Sequence, residues 1–282
     1  MRLIKSVRAM QKEIKRLKKS GKTIGFVPTM GFLHEGHASL LRQSRKDCDV
    51  SVLSIFVNPK QFAPNEDLNK YPRDLKKDIS FAKKEGVDIM FHPTELEMYP
   101  DDFLTHVKVN SLGGILCGQF RPGHFEGVAT VVTKLVNIAW PDILYLGQKD
   151  AQQAAVLKRM VEDLNFPVKV KVMPTIREKD GLAMSSRNSY LSPKQRQDAA
   201  NLYKALQHGK SLIEDGERHP DNVIESIRKF ISLMNPAKID YIECRDALTF
   251  HPLTELQGTI LIALAVWIGE TRLIDNISVR VK

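Results

Sequence analysis

Apolar positions along this chain fall into two alternating textures. The stretches "TIGFVPTM" (23–30), "DVSVLSIFVNP" (49–59), "VDIMFHP" (87–93), "DILYLG" (142–147) and "VKVKVMPTI" (168–176) are short and rich in apolar residues, the second in an almost continuous run. Such runs predict strands buried on both faces. Between them "HASLLRQSRKD" (37–47), "DLKKDISFAKKEG" (74–86), "FEGVATVVTKLVNIAW" (125–140) and "DAQQAAVLKRMVEDLN" (150–165) carry apolar residues at helical spacing. Strands alternating with helices imply an α/β fold, a Rossmann-like doubly wound parallel sheet covered on both sides. The first 22 residues read as one amphipathic helix with Leu3, Val7, Met10, Ile14 and Leu17 on its apolar face, stopped at Gly21.

The texture changes beyond about residue 175. "SPKQRQDAANLYKALQHGKSLIEDG" (192–216) and "HPDNVIESIRKFISLM" (219–234) predict helices. "KIDYIECRD" (238–246) and "GTILIALAVWIGETRLIDNISVRV" (258–281) predict locally paired strands with a turn at Gly269-Glu270. Residues 1–175 are thus expected to form the Rossmann-like domain, and residues 176–282 a smaller α+β domain.

Composition narrows the class without deciding the function. The 282 residues include 43% hydrophobic and 27% charged residues, the balance of an ordinary globular protein. Cys48, Cys117 and Cys244 lie far apart with no C-x-x-C pair, which argues against a disulfide scaffold or a thiolate zinc site and suits a reducing cytoplasm. The longest apolar run, "TILIALAVWIG", has about half the length of a membrane span, and the N-terminus lacks the apolar core of a signal peptide. The net charge of +9 is compatible with nucleic acid, anionic lipid or a small anionic substrate. No nucleic-acid module is recognisable, and the basic residues are not interleaved with aromatics.

Polar clusters stand where strands should end: "TMGFLHEGH", "FVNPKQF", "YLGQKDAQQ" and "TIREKDGLAMSSRN". In a doubly wound sheet ligands bind beyond the carboxyl ends of the strands, so these clusters are expected to converge. His34 and His37 could be metal ligands, surface histidines or a phosphate cradle. A zincin helix needs H-E-x-x-H, and H-E-G-H is one residue short. With Gly31 for a tight turn, Gly36 for close approach and a helix following, free amides and imidazoles facing a triphosphate are the favoured reading.

The stretches "PTMGFLHEGHASLL", "FVNPKQFAPNEDLNKYPRD", "FRPGHFEGVATVVTKL", "YLGQKDAQQ" and "REKDGLAMSSRNSYLS" closely resemble the pantothenate synthetase (pantoate–β-alanine ligase) family, over residues 1 to 282. That family belongs to the nucleotidyltransferases with a HIGH signature, here "HEGH", and "MSSRN" stands where KMSKS would. The resemblance implies adenylation of (R)-pantoate by ATP with Mg²⁺, then capture of the pantoyl adenylate by β-alanine, in a cytoplasmic homodimer that binds no nucleic acid and no membrane. It implies catalytic roles for His34, His37, Lys149 and Arg187. It places ATP against Met30, Gly31, Phe32, Leu33, His34, Glu35, Gly36 and His37, against Gly147, Gln148, Lys149 and Asp150, and against Ile176, Met184, Ser185, Ser186 and Arg187. It gives pantoate to Gln61 and Gln153, β-alanine to Gln61, a supporting place to Asn58, and no metal site made of protein side chains. Residues 1–175 would bind ATP and pantoate, and residues 176–282 would be a lid carrying "MSSRN". Arg121 and His124 fit the pattern near phosphates or a lid. Two positions depart from it, Gln148 where Glu is usual and Ala151 where Tyr is usual. A different adenylyltransferase with a phosphorylated acceptor is the main alternative; its pocket should carry more Arg and Lys than Gln61 and Gln153 supply.

Overall fold

The computed structural model describes residues 1–64, 66–234 and 237–281, so Lys282, the last residue of the resemblance, lies outside it. The chain forms two compact units. The first comprises Met1–Gln148 with Gln152–Pro174, and the second Thr175–Lys282 with the short segment Lys149–Ala151.

The first unit is built on strands β1 (Arg2–Ile4), β2 (Ile24–Thr29), β3 (Val50–Ile55), β4 (Ile89–Phe91), β5 (Ile143–Gly147) and β6 (Lys169–Met173). They lie in the order β1-β4-β3-β2-β5-β6 and every recorded pairing is parallel. Helices α1 (Val7–Lys19), α2 (Glu35–Asp47), α3 (Leu75–Lys84), α6 (His124–Ala139) and α7 (Ala151–Asp163) connect them, with one-turn helices α4 (Glu95–Met98) and α5 (Cys117–Phe120) in the long β4-to-α6 connection. Met10 and Ile14 of α1, Val128 and Leu135 of α6 and Leu157 of α7 share one core with Phe26 and Val52. Leu40 and Leu41 of α2 and Ala82 of α3 form another with Val27, Leu53 and Met90. Because α2 and α7 belong to different cores, the chain leaves β2 and β5 towards opposite faces. Strand order reverses there, the point at which doubly wound sheets bind ligands beyond the carboxyl ends of their strands. The observed fold is the Rossmann-like doubly wound sheet expected.

One local expectation fails. Leu3 does not extend the apolar face of the first helix: it lies in β1, 39% exposed, while Ser6 caps a helix that starts at Val7. Pairing of Arg2, Leu3 and Ile4 with Ile89, Met90 and Phe91 decides this, a long-range partner that no helical periodicity can announce.

In the second unit β7 (Ala237–Asp246), β8 (Thr259–Ile268) and β9 (Thr271–Arg280) form an antiparallel sheet, with β8 and β9 joined at Gly269-Glu270. Helices α8 (Pro193–Glu214) and α9 (Pro220–Ser232) bury Leu206, Ile213, Val223 and Ile227 with Ile262, Leu264 and Val266. Gly209 permits their close approach, since a Cβ there would lie 2.5 Å from Ile227 Cδ1. Ser192 and Gln195 start α8 with a reciprocal capping box.

Candidate active site

Strand β2 ends in a turn that no ordinary sequence adopts easily. Gly31 and Phe32 both take positive φ, 84° and 52°. Asp78 of α3 holds the turn: its two carboxylate oxygens accept from Phe32 N (2.9 Å) and Leu33 N (2.8 Å). Burial pushes the Asp78 carboxyl above its ordinary value, and the two amide donors pull against that shift. A Cβ at Gly31 would lie 2.9 Å from Asp78 Oδ2 and 3.0 Å from Ile55 Cγ2, so the position requires glycine for space as well as for φ. Asp78 went unnoticed in the sequence, although a signal exists: it shares one helix face with Leu75, Ile79 and Ala82, where a carboxylate is out of place.

The two histidines cap α2 reciprocally. His34 Nδ1 accepts from Gly36 N and His37 Nδ1 accepts from His34 N, both at 3.2 Å, with ring centroids 4.1 Å apart. An Nδ1 that accepts leaves the neutral ring's proton on Nε2. The expectation of free helix amides facing an anion is therefore corrected in part. Gly36 N is occupied by His34, and His37 N and Ala38 N bond to His34 O. With both Nδ1 atoms turned to the backbone, the ring donors of the motif are the imidazole Nε2–H groups. Glu35 is held by Arg42, which also grips Glu85.

Beyond β3, Asn58 is almost wholly buried and fully used. Its Oδ1 accepts from Tyr99 OH (2.8 Å) and Lys60 N (3.3 Å), and its Nδ2 donates to Gln61 Oε1 and Gly127 O, both 3.1 Å. Gln61 Nε2 in turn reaches Met30 Sδ at 3.2 Å, joining the ends of β3 and β2. The Gln61 amide is thereby oriented with one further donor and one further acceptor position. Arg121 and His124 act on its backbone: both reach Gln61 O, at 3.3 and 2.8 Å, while Arg121 is bidentate to Glu66 (2.7 and 2.5 Å). They buttress the glutamine, a role their sequence context did not reveal.

Strand β5 delivers Gly147, the short 3-10 turn Gln148–Asp150 and then α7. Gln153 is half-buried, with no side-chain partner among the described residues. Its neighbour Gln152 is buried and structural, bonding Cys117 N, Leu112 O and Ile115 O at 3.0, 2.8 and 2.7 Å. In the second unit Lys149 Nζ lies 3.5 Å from Asp150 Oδ1. Ile176 O accepts from Met184 N (3.0 Å), Ser185 caps the 3-10 turn Ser186–Tyr190 through Arg187 N, and Ser186 is buried. Asn188 Oδ1 is buried there without a hydrogen-bond partner among the described residues.

Among the described residues no three His, Cys, Asp or Glu side chains gather as a cage for a metal ion, while Asp150 offers one half-exposed carboxylate beside Lys149.

Known proteins share this sequence pattern and fold. The family described as Pantoate-beta-alanine ligase matches residues 2–278. The chain is 55% identical over 281 residues to the pantothenate synthetase of Caldicellulosiruptor saccharolyticus, covering 100% of both chains. Among solved structures, pantothenate synthetase from Thermus thermophilus superposes with a TM-score of 0.95 at 40% identity, over 99% of this chain and 100% of that one. Pantoate-beta-alanine ligase from Francisella tularensis, complexed with beta-gamma ATP and beta-alanine, superposes at 0.82 with 36% identity, over 98% and 97%. With sheet order, histidine turn and buried glutamine all in place across the whole length, the chain belongs to the pantoate–β-alanine ligase family.

Proposed function

We propose that this protein condenses (R)-pantoate with β-alanine at the expense of ATP, giving pantothenate, AMP and pyrophosphate through pantoyl adenylate. The observation that carries this reading is the pairing of two Nδ1-anchored imidazoles with a buried, oriented neutral amide, Gln61. The first suits phosphate oxygens, and the second suits a carboxylate or hydroxyl.

A pantoate carboxylate is already an anion, so its oxygen attacks the α-phosphorus without a general base, and pyrophosphate departs. Catalysis then rests on position and on neutralising charge. His34 and His37 donate to phosphate oxygens through Nε2–H, and Lys149 and Arg187 add positive charge. Mg²⁺ bound with ATP neutralises further phosphate charge. Residues 30–37 and 147–150, Ile176 and Met184–Arg187 bind the nucleotide; Gln61 and Gln153 bind pantoate. In the second step the β-alanine amine, guided by Gln61, attacks the acyl carbon; its nitrogen forms the amide, loses a proton, and AMP leaves. Residues 1–175 act as the ATP- and pantoate-binding domain, and residues 176–282 as the lid.

A phosphorylated acceptor is disfavoured, because Arg121, whose guanidinium reaches Gln61 O, is bound to Glu66. No helix among the described residues is long and apolar enough to cross a membrane. Three cysteines outside any disulfide support work in the cytoplasm, and the family resemblance supports a homodimer, which sedimentation would test.

The decisive experiment supplies ATP, Mg²⁺, pantoate and β-alanine and identifies the nucleotide product. AMP is expected, together with ATP–pyrophosphate exchange that needs pantoate but not β-alanine. Formation of ADP would mean an acyl phosphate and would overturn the proposal.

A further inference from the structure

Strand β9 carries two consecutive buried polar residues, Asp275 and Asn276, 4% and 5% exposed. Successive side chains of a strand face opposite sides of the sheet, so polar burial here occupies both faces at once. Polar groups are costly to bury, and a buried ion pair does not surpass a packed apolar pair of the same size. Stability alone gives no reason for either residue.

Their partners supply one. Asp275 receives a two-pronged Arg177 guanidinium (2.6 and 2.9 Å) and the Asn276 amide N–H (2.8 Å). Arg177 lies over the Tyr203 ring, 3.8 Å from its centroid, and also donates to Gly181 O (3.0 Å) and Asn276 O (3.3 Å). Arg177 and Ala183 bridge across a short hairpin, and Met184–Arg187 follow immediately. Asn276 Nδ2 meanwhile donates to Lys149 O at 2.9 Å. Two neighbouring side chains of one strand thus fix the main chain at Lys149 and at the base of the "MSSR" segment.

We infer that Asp275 and Asn276 are positioning residues for adenylate formation: Asn276 sets Lys149, and Asp275, through Arg177, sets Ser185–Arg187. This rests on the function proposed above. Flexible side chains such as lysine and arginine reach a phosphate in a productive geometry only if their Cα atoms are fixed, and small misplacements lower rates steeply.

Pantoate-dependent ATP–pyrophosphate exchange tests it. Asn276→Asp keeps the shape but removes the donor to Lys149 O. It is expected to lower kcat/KM for ATP about tenfold, the order expected for one lost buried hydrogen bond, with the KM for pantoate unchanged. In a Lys149→Ala background the same substitution should change almost nothing, since its effect passes through Lys149. Asp275→Asn should behave likewise against Arg187→Ala. Asp240→Asn serves as a control: that buried carboxylate of β7 binds Arg272 and Trp267, and its loss should lower thermal stability without changing kcat/KM. Should Asn276→Asp fail to fold, Asn276→Ser enters the same cycle. An equal loss for the Asn276 variant with and without the Lys149 ammonium would make it a merely structural residue and overturn the inference. No exchange at all in the unaltered chain would instead overturn the functional proposal, and this inference with it.

Discussion

His37 shows how much one side chain is asked to do. Its Nδ1 accepts from His34 N, so the ring fixes the helix start, while the function proposed above asks its Nε2–H to donate to phosphate. His37→Ala is expected to slow adenylate formation by about 10²–10³-fold, as for loss of one positioned transition-state donor. Lost capping should cost about 1 kcal/mol of stability besides. Single-turnover adenylation and thermal melts separate the two effects; adenylation at the unaltered rate would leave His37 a purely structural cap. The glutamines should divide differently. Gln153 has no internal partner among the described residues, so Gln153→Leu should weaken pantoate use by roughly 5- to 150-fold, with ATP affinity and stability nearly unchanged. Gln61→Leu also breaks the Asn58 and Met30 contacts, so it should destabilise the fold and impair both pantoate use and β-alanine capture. Collapse of ATP binding in Gln153→Leu with pantoate use intact would remove Gln153 from the acid pocket.

At the scale of elements, the 3-10 turn Pro59–Gln61 packs tightly on α6. A Cβ at Gly127 would sit 2.1 Å from Lys60 O and 2.7 Å from Gln61 N, main-chain atoms that cannot swing aside. Gly127→Ala is therefore expected to displace the turn and raise the KM for pantoate more than the KM for ATP, measurable by exchange kinetics. The loop after this turn is tied back by Arg121 to Glu66. Burial pushes the Glu66 carboxyl up, but hydrogen bonding and charge from Arg121 outweigh it and hold the group below its ordinary value. A carboxyl lowered on folding stabilises the protein above its unfolded-state pKa, about 4.3, and that contribution is lost as pH falls through the folded-state value. The stability difference between the unaltered chain and Glu66→Gln should be constant near neutrality and shrink below about pH 4. Denaturant melts across pH would show it, and a difference that grows on acidification would contradict the assignment.

Across the whole molecule, many of the cations behind the net charge of +9 are already engaged by carboxylates. Arg2 and Arg16 share Glu13, Arg42 binds Glu35 and Glu85, Lys171 binds Asp47, and Arg196 spans Glu178 and Asp180. Retention of tRNA on a filter is accordingly expected to be weak and to vanish by about 0.2 M salt, the behaviour of a few phosphate contacts. Tight, salt-resistant binding would restore nucleic acid as a partner.

Sequence alone determined what depends on neighbours in the chain. Period and run length marked β2 to β6 and the longer helices, the β8–β9 turn, and the histidine turn with its glycine. These features are local because pleat, helical period and positive φ act on adjacent residues. Only tertiary structure decided what depends on distant partners. It made a strand of Arg2–Ile4 by offering it β4, and it set β2 between β3 and β5 so that their ends meet. It turned the helix amides behind His34 inward to the cap. It also brought Asp78 to the β2 turn, and Asp275 and Asn276 to Arg177 and Lys149. Hydrophobic periodicity states which side of an element is buried, not against which neighbour. A buried polar side chain must find its partners in space, and those partners lie dozens of residues away.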